Sequence, residues 1–340
     1  MIFGYAISLK AVVIRKHGGP DVLSYEEIDG PQTTKGHAIV KVDYCAVNHL
    51  DIWVRNGLPG KQVLFPHILG CDISGTLVEG FGKFKKGDKV VVYPAIQSDV
   101  PRVSYSIIGA FGKYHGGYAE LVRVPQKNIV KKPSWFTDME ACALNVSYLT
   151  AWNMLERSRC KKGDTVFIWG ANSGVGSAAI LLAKARGFRI ITVVSNENKI
   201  GLAKKLGAHL VIDRSKSDVI AETLKHTNNQ GVNAVIDHVG AKTWPTSIEI
   251  LKIGGKMIAC GTTTGGEANV NIRAFYSKEA SIIGAYLGTK LQLISLHRFM
   301  KSNKIKPIID SVFSLKDAKM AHQKMESSSQ FGKIILKVSS

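Results

Sequence analysis

Apolar and polar positions follow two rhythms along this chain of 340 residues. Through residues 10–123 the apolar, β-branched segments are short and cut by turn residues. Residues 11–15 precede His17-Gly-Gly-Pro20, residues 38–46 alternate, residues 73–78 and 89–92 flank the turn Lys86-Gly-Asp-Lys89, and residues 119–124 close the series. Short strands at such spacing predict a barrel-like or sandwich domain. Residues 95–113 show no period and read as a loop. From Pro133 the texture changes: helical patterns at 138–143 and 150–156 lead into strands at 165–169, 189–194, 209–212, 234–237, 256–260 and 280–286. Helical patterns fill four of the five connections, at 178–187, 199–206, 219–226 and 243–251. Such alternation specifies α/β architecture with a doubly wound parallel sheet of six strands, holding its ligand at the carboxyl ends where strand order reverses. The tail reads as a helix (291–302), a strand (308–313), a helix (315–325) and a strand (333–338), and its texture predicts a return to the first domain. The expected division is therefore 1–131 with 290–340, against 132–289.

The first strand of the alternating region runs into Gly170-Ala-Asn-Ser173-Gly174-Val175-Gly176 and then a long apolar helix. Glycines let a backbone approach a pyrophosphate closely, and a helix N-terminus presents N–H groups and partial positive charge to it. The turn departs from G-x-G-x-x-G, so its neighbours carry the dinucleotide reading.

Composition narrows the classes. No apolar run reaches the roughly 18–20 residues that span a bilayer. The N-terminal segment lacks a basic region and a cleavage pattern, so residues 1–9 read as an extension of a cytoplasmic protein. Cys45, Cys71, Cys142, Cys160 and Cys260 are widely spaced, with neither a disulfide framework nor a structural zinc motif. The net charge of +19 is spread along the chain, which favours anionic substrates or cofactors over a dedicated nucleic-acid role.

Several stretches together identify a family: residues 10–23 (KAVVIRKHGGPDVL), Ala46-Val-Asn-His-Leu-Asp51, Pro66-His-Ile-Leu-Gly70-Cys-Asp72, Gly87-Asp88-Lys89-Val90, Gly116-Gly-Tyr-Ala-Glu120, Leu149-Thr-Ala-Trp152, the glycine turn, and Phe331-Gly-Lys-Ile-Ile335. In this order they resemble a medium-chain dehydrogenase/reductase. The resemblance implies a GroES-like β-barrel catalytic domain, a Rossmann domain and hydride transfer in a cleft between them. It also implies a choice about zinc. Where the alcohol dehydrogenase branch carries cysteine, histidine–glutamate and cysteine around a catalytic zinc, this chain has Asn48, Cys71 with Asp72, and Val146. Asn is a poor zinc ligand and Val is none. Residues 95–113, which correspond to the structural-zinc lobe, hold no cysteine. The chain thus resembles the zinc-free, quinone oxidoreductase-like branch, and no metal site is expected. A substitute site from Cys71, Asp72, His49, His67 and Asp51 is weighed against it; adjacent residues of a strand would point to opposite faces.

The same resemblance supplies candidate residues. Asn48 takes the active-site position as a hydrogen-bond donor to a developing oxyanion, and Asp51 orients its loop. Gly170, Ser173, Gly174, Val175 and Gly176 form the pyrophosphate turn, while Thr150, Gly261 and Thr262 fall at the nicotinamide end. The second strand ends in Ser195-Asn196 without the acid that bonds NAD ribose. That leaves room for a 2′-phosphate, to be met by Lys199 and Arg214. NADPH is therefore expected, with NADH as the alternative and Glu197 as the opposing feature. The implied activity is reduction of a quinone, enone or enoyl thioester, with a small-molecule substrate. The alternatives are an alcohol dehydrogenase/carbonyl reductase with a rebuilt metal site, and a cofactor-binding protein that binds nucleic acid. Family members pair edge to edge through the sixth strand of the parallel sheet, residues 280–286 here, which implies a homodimer, with a tetramer as the alternative.

Overall fold

A computed structural model describes residues 8–58, 60–97 and 105–339, so most of the N-terminal extension lies outside the described residues. The chain divides into two compact units, residues 1–146 with 309–340 and residues 147–308.

The first unit is built on a sheet in the order Ile129–Lys131, Lys89–Val92, Asp72–Leu77, His37–Val47, Lys333–Lys337, Ile309–Ser314, with Leu121–Pro125 also pairing to His37–Val47. The pairs are antiparallel except the last two strands, which run parallel. A smaller sheet joins Ser24–Asp29, Ser8–Ile14 and His67–Ile68. In the long central strand Val40 and Val42 and, past a register shift between Val42 and Tyr44, Cys45 and Val47 are buried with Ile73, Val90, Val92, Val122, Ile334 and Leu336. β-branched side chains suit this pleated, close-packed interior. The supposed loop at 95–113 contains two short antiparallel strands, Ala95–Gln97 and Tyr105–Ile107.

In the second unit six strands run parallel in the order Leu210–Asp213, Arg189–Val194, Thr165–Ile168, Val232–Asp237, Leu251–Ala259, Ser281–Gly284. In sequence this is third, second, first, fourth, fifth, sixth, the dinucleotide-binding order that the alternation called for. All five connections carry a helix: Gly174–Ala185, Ile200–Leu206, Val219–His226, Trp244–Glu249 and Ile272–Ser277. The last is six residues long and fully buries none of them, with Ala274 and Phe275 only half-buried against the core, so it carries too little of a helical period to read.

Both divisions fall later than the 131/132 and 289/290 expected. Residues 138–146 stay with the first sheet because Ser74 Oγ donates to Asp138 O at 2.7 Å and Cys142 Sγ to Asp72 O at 3.4 Å. The helix Lys290–Ser302 belongs with Leu149–Ser158 instead. Phe299 and Trp152 lie 5.0 Å apart, the Arg186 guanidinium sits 4.2 Å over Trp152, and Gln292 Nε2 donates to Asn153 Oδ1 at 3.2 Å. Among the described residues no helix is long and apolar enough to cross a membrane.

Candidate functional site

In the first unit Asn48 ends the strand His37–Val47 and caps the helix His49–Asn56. Its backbone N–H donates to Asp51 Oδ2 at 2.8 Å, the reciprocal contact of a capping box. Its side chain is buried, and its hydrogen bonds run inward. Lys333 Nζ donates to Asn48 Oδ1 at 2.7 Å, to Asp72 Oδ2 at 2.8 Å and to Val47 O at 3.2 Å. Asn48 Nδ2 donates to Asp72 Oδ2 at 2.9 Å, with longer contacts to Ala46 O at 3.3 Å and Cys71 Sγ at 3.6 Å.

The expectation that Cys71 and Asp72 point apart is corrected here, since one amide meets both. Gly70, at φ +100°, turns the chain just before them, and the strand begins only at Asp72. A Cβ at Gly70 would lie 2.4 Å from the Tyr118 ring, so the turn requires glycine in space as well as in φ. The ammonium partner of Asp72 is 261 positions away.

Asp51 is the second buried acid, fully enclosed. Beyond Asn48 N it accepts from Gly70 N at 3.1 Å and from the Tyr118 hydroxyl at 3.3 Å. Tyr118 Oη lies 3.1 Å from His322 Nε2, and Arg55 Nη1 lies 3.1 Å from His322 Nδ1. Arg can only donate, so His322 Nδ1 accepts and its proton sits on Nε2. The chain of donors then runs one way, Arg55 to His322 to Tyr118 to Asp51. Arg55 also pairs with Glu326. Desolvation pushes Asp51 up to about 7, against the pull of the Asn48 N–H and the Lys333 ammonium. Desolvation likewise holds His322 down at about 3, helped by Arg55.

These residues do not fit a zinc ion. Val146 has no donor, burial raises the Cys71 thiol well above its ordinary range, and an ammonium already lies against Asp72 and Asn48. Among the described residues no group of three or more His, Cys, Asp or Glu could hold a metal.

The second unit carries the glycine turn. Ser173 caps the helix Gly174–Ala185, its Oγ accepting from Gly176 N at 2.8 Å. A Cβ on Gly176 would stand 2.0 Å from Gly170 O, so helix and strand can meet only with no side chain there. His238, after the fourth strand, adds its Nε2 at 2.8 Å from Ser173 Oγ. This close-packed turn, opening a helix of 12 residues, fits a pyrophosphate. Val175 lies half-buried in its first turn. Ser195 and Asn196 are exposed beyond the second strand, and Arg214 is exposed beyond the third, its N–H donating to Val194 O at 3.2 Å. Lys199 closes the 3-10 turn Glu197–Lys199. Glu197 is paired with Lys216, both well exposed. Gly261 and Thr262 are exposed after the fifth strand. Thr150 is buried inside the helix Leu149–Ser158, whose cap is Tyr148. Asn48 and Asp51 are thus joined in one unit, and the turn residues and strand ends are grouped in the other. Lys333 and Tyr118 lie in stretches that carry the resemblance, Phe331-Gly-Lys-Ile-Ile335 and Gly116-Gly-Tyr-Ala-Glu120, whereas no sequence signal points to His322 or His238.

Residues 34–134 match the alcohol dehydrogenase GroES-like domain and residues 174–302 the zinc-binding dehydrogenase domain. An NAD-dependent alcohol dehydrogenase of Sulfolobus acidocaldarius is 32% identical over 97% of this chain and 100% of that protein. The quinone oxidoreductase of Homo sapiens is 29% identical over 96% of this chain and 97% of that protein. Among solved structures, an NAD-dependent alcohol dehydrogenase superposes with a TM-score of 0.90 at 33% identity, covering 97% of this chain and 100% of that chain.

Proposed function

This chain belongs to the medium-chain dehydrogenase/reductase superfamily of NAD(P)-dependent oxidoreductases, and from that premise we propose that it is a zinc-free, NADPH-dependent reductase of quinones or α,β-unsaturated carbonyl compounds, enones or enoyl thioesters. The observation that carries this reading is the donor set around Asn48, where the Lys333 ammonium lies against both Asn48 and Asp72 and stands against a metal. NADPH, when bound, supplies the hydride. The turn through Gly170, Ser173, Gly174, Val175 and Gly176 holds its pyrophosphate. Ser195 and Asn196 leave room for the 2′-phosphate, and Lys199 and Arg214 neutralise it. The pairing of Glu197 with Lys216 supports this, because it engages the one acid at the strand tip. Thr150, Gly261 and Thr262 border the nicotinamide. Asn48 donates to the substrate oxygen as charge develops, exchanging the long contacts to Ala46 and Cys71. Asp51 touches no reacting atom; it fixes the loop through Asn48 N and Gly70 N.

Metal content and turnover, measured on one preparation with quinones, enones, acryloyl-type thioesters and alcohols, test the reading. Turnover that survives chelation, with less than a tenth of a zinc per chain, is expected. One zinc per chain with chelator-sensitive alcohol oxidation would move the protein to the other branch.

Cofactor choice has its own expected result. NADPH should bind at least tenfold more tightly than NADH, and Lys199→Ala with Arg214→Ala should erase most of that preference. Equal affinities that neither substitution alters would refute it.

We further propose a homodimer through the strand Ser281–Gly284. Among the described residues it is hydrogen-bonded on one side only, to Leu251–Ala259. Exposed apolar side chains surround it: Ile272, Tyr276, Ile282 and Tyr286. An open apolar edge of this kind promotes pairing. Light scattering should return twice the chain mass of 37.0 kDa, and Ile282→Lys should return the single value. A monomeric wild type removes the proposal.

A further inference from the structure

We propose that Lys333 is the resident cation of the Asn48 site, a positioning residue that fixes the orientation of the Asn48 amide and neutralises Asp72. Lys333 opens the strand Lys333–Lys337 and lies 1% exposed, beside Asp72 at 0% and Asn48 at 7%. A lysine this deep needs acceptors on every side, and it has them in Val47 O, Asn48 Oδ1 and Asp72 Oδ2. The chemistry of these groups then removes the usual ambiguity of an amide. An ammonium only donates, so the Asn48 oxygen must face Lys333; a carboxylate only accepts, so the Asn48 nitrogen must face Asp72. Nδ2 is thereby held on the side of Cys71, at 3.6 Å from its sulfur. Without the ammonium, Asp72 is a buried carboxylate with no compensating charge, and the amide loses the donor that keeps its oxygen in place. The charge that a metal would bring to such a cluster is built into the chain as a side chain 285 positions from Asn48.

Only the kinetic arm of the test rests on the reductase reading. Lys333→Met, Lys333→Arg, Lys333→Met/Asp72→Asn and Asn48→Ala are compared for melting midpoint and for turnover of the most reactive acceptor. The expected result is a midpoint lowered by roughly 10 °C in Lys333→Met, because one partner of a buried ion pair is left unpaired. Lys333→Arg keeps the charge and most of the midpoint. The double variant regains at least half of the midpoint while turnover stays at least tenfold below wild type. Asn48→Ala adds no further loss of turnover in the double variant, and costs less stability in Lys333→Met than in wild type, as it must if Lys333 acts through the amide. A Lys333→Met protein melting within about 2 °C of wild type overturns the buried-cation claim. Independent losses for Asn48→Ala and the double variant overturn the positioning claim. Should wild type turn over no acceptor, the reductase reading fails, and the melting cycle alone decides for or against Lys333.

Discussion

Acidification from pH 7 to about 4.5 is expected to strip the protein of most of its stability. Three histidines are buried as neutral rings. Desolvation pushes His67 and His297 down to about 4 and His322 to about 3, from 6.5. His115 adds to the shift at His67 and Arg55 to that at His322. A histidine held below its unfolded value takes up its proton only on unfolding. Stability from this source is complete above about pH 6.5 and is lost as pH falls toward the folded value. By pH 4.5, which lies above all three folded values, each ring has lost about 2–3 kcal/mol, set by the distance of that pH below 6.5. Asp51 works the other way. Its folded value of about 7 lies above its ordinary 3.8, so its contribution is present below pH 4 and is lost as pH rises through 7. Between pH 7 and 4.5 that offsets about 3 kcal/mol of the loss on acidification. The histidines win, and the remainder is a large part of the 5–15 kcal/mol typical of a folded chain. Urea unfolding at fixed pH values between 4.5 and 8 checks this: the midpoint should at least halve across the range. His67→Phe, which has no proton to gain, should flatten the slope. A midpoint constant within a tenth would mean that these rings are not held neutral.

Which features could be read from the sequence follows from how local their causes are. The parallel sheet was legible in full order, because each strand and helix carries its own period and the connections admit one handedness. The helix Ile272–Ser277 and the strands Ala95–Gln97 and Tyr105–Ile107 were not, because the first is six residues long with none fully buried and the others are three residues long. The same division runs through the sites. Asn48 with Asp51, and Gly170 through Gly176, are contiguous, so motif and spacing expose them. Lys333 reaches Asn48 across 285 positions and Tyr118 reaches His322 across 204, and no spacing rule joins such pairs. The domain boundaries shifted for a related reason. Helical residues 138–146 and 290–302 look alike in pattern, and only the partners they pack against assign them.

Gly176→Ala should be the most damaging single methyl group in the nucleotide unit. The added Cβ would lie 2.0 Å from Gly170 O and 3.0 Å from Ser173 Oγ. The first neighbour is backbone, so it cannot rotate aside, and the second is the capping hydroxyl that holds Gly176 N. Relief therefore requires the strand end Thr165–Ile168 and the helix Gly174–Ala185 to move apart. Overpacking of this kind costs about 1–3 kcal/mol, and the displaced turn would no longer present its N–H groups to a phosphate. At least a tenfold loss of NADPH affinity is expected by titration, together with a lower melting midpoint. Gly201→Ala supplies the contrast. It sits in the helix Ile200–Leu206, where a Cβ meets nothing within 4 Å, so alanine should stabilise by about 0.5–1 kcal/mol and leave NADPH affinity unchanged. The pair separates a methyl group that closes the cofactor turn from one that merely stiffens a neighbouring helix. If Gly176→Ala binds NADPH as wild type does, the turn is not where the pyrophosphate rests, and the assignment of the second unit's site falls with it.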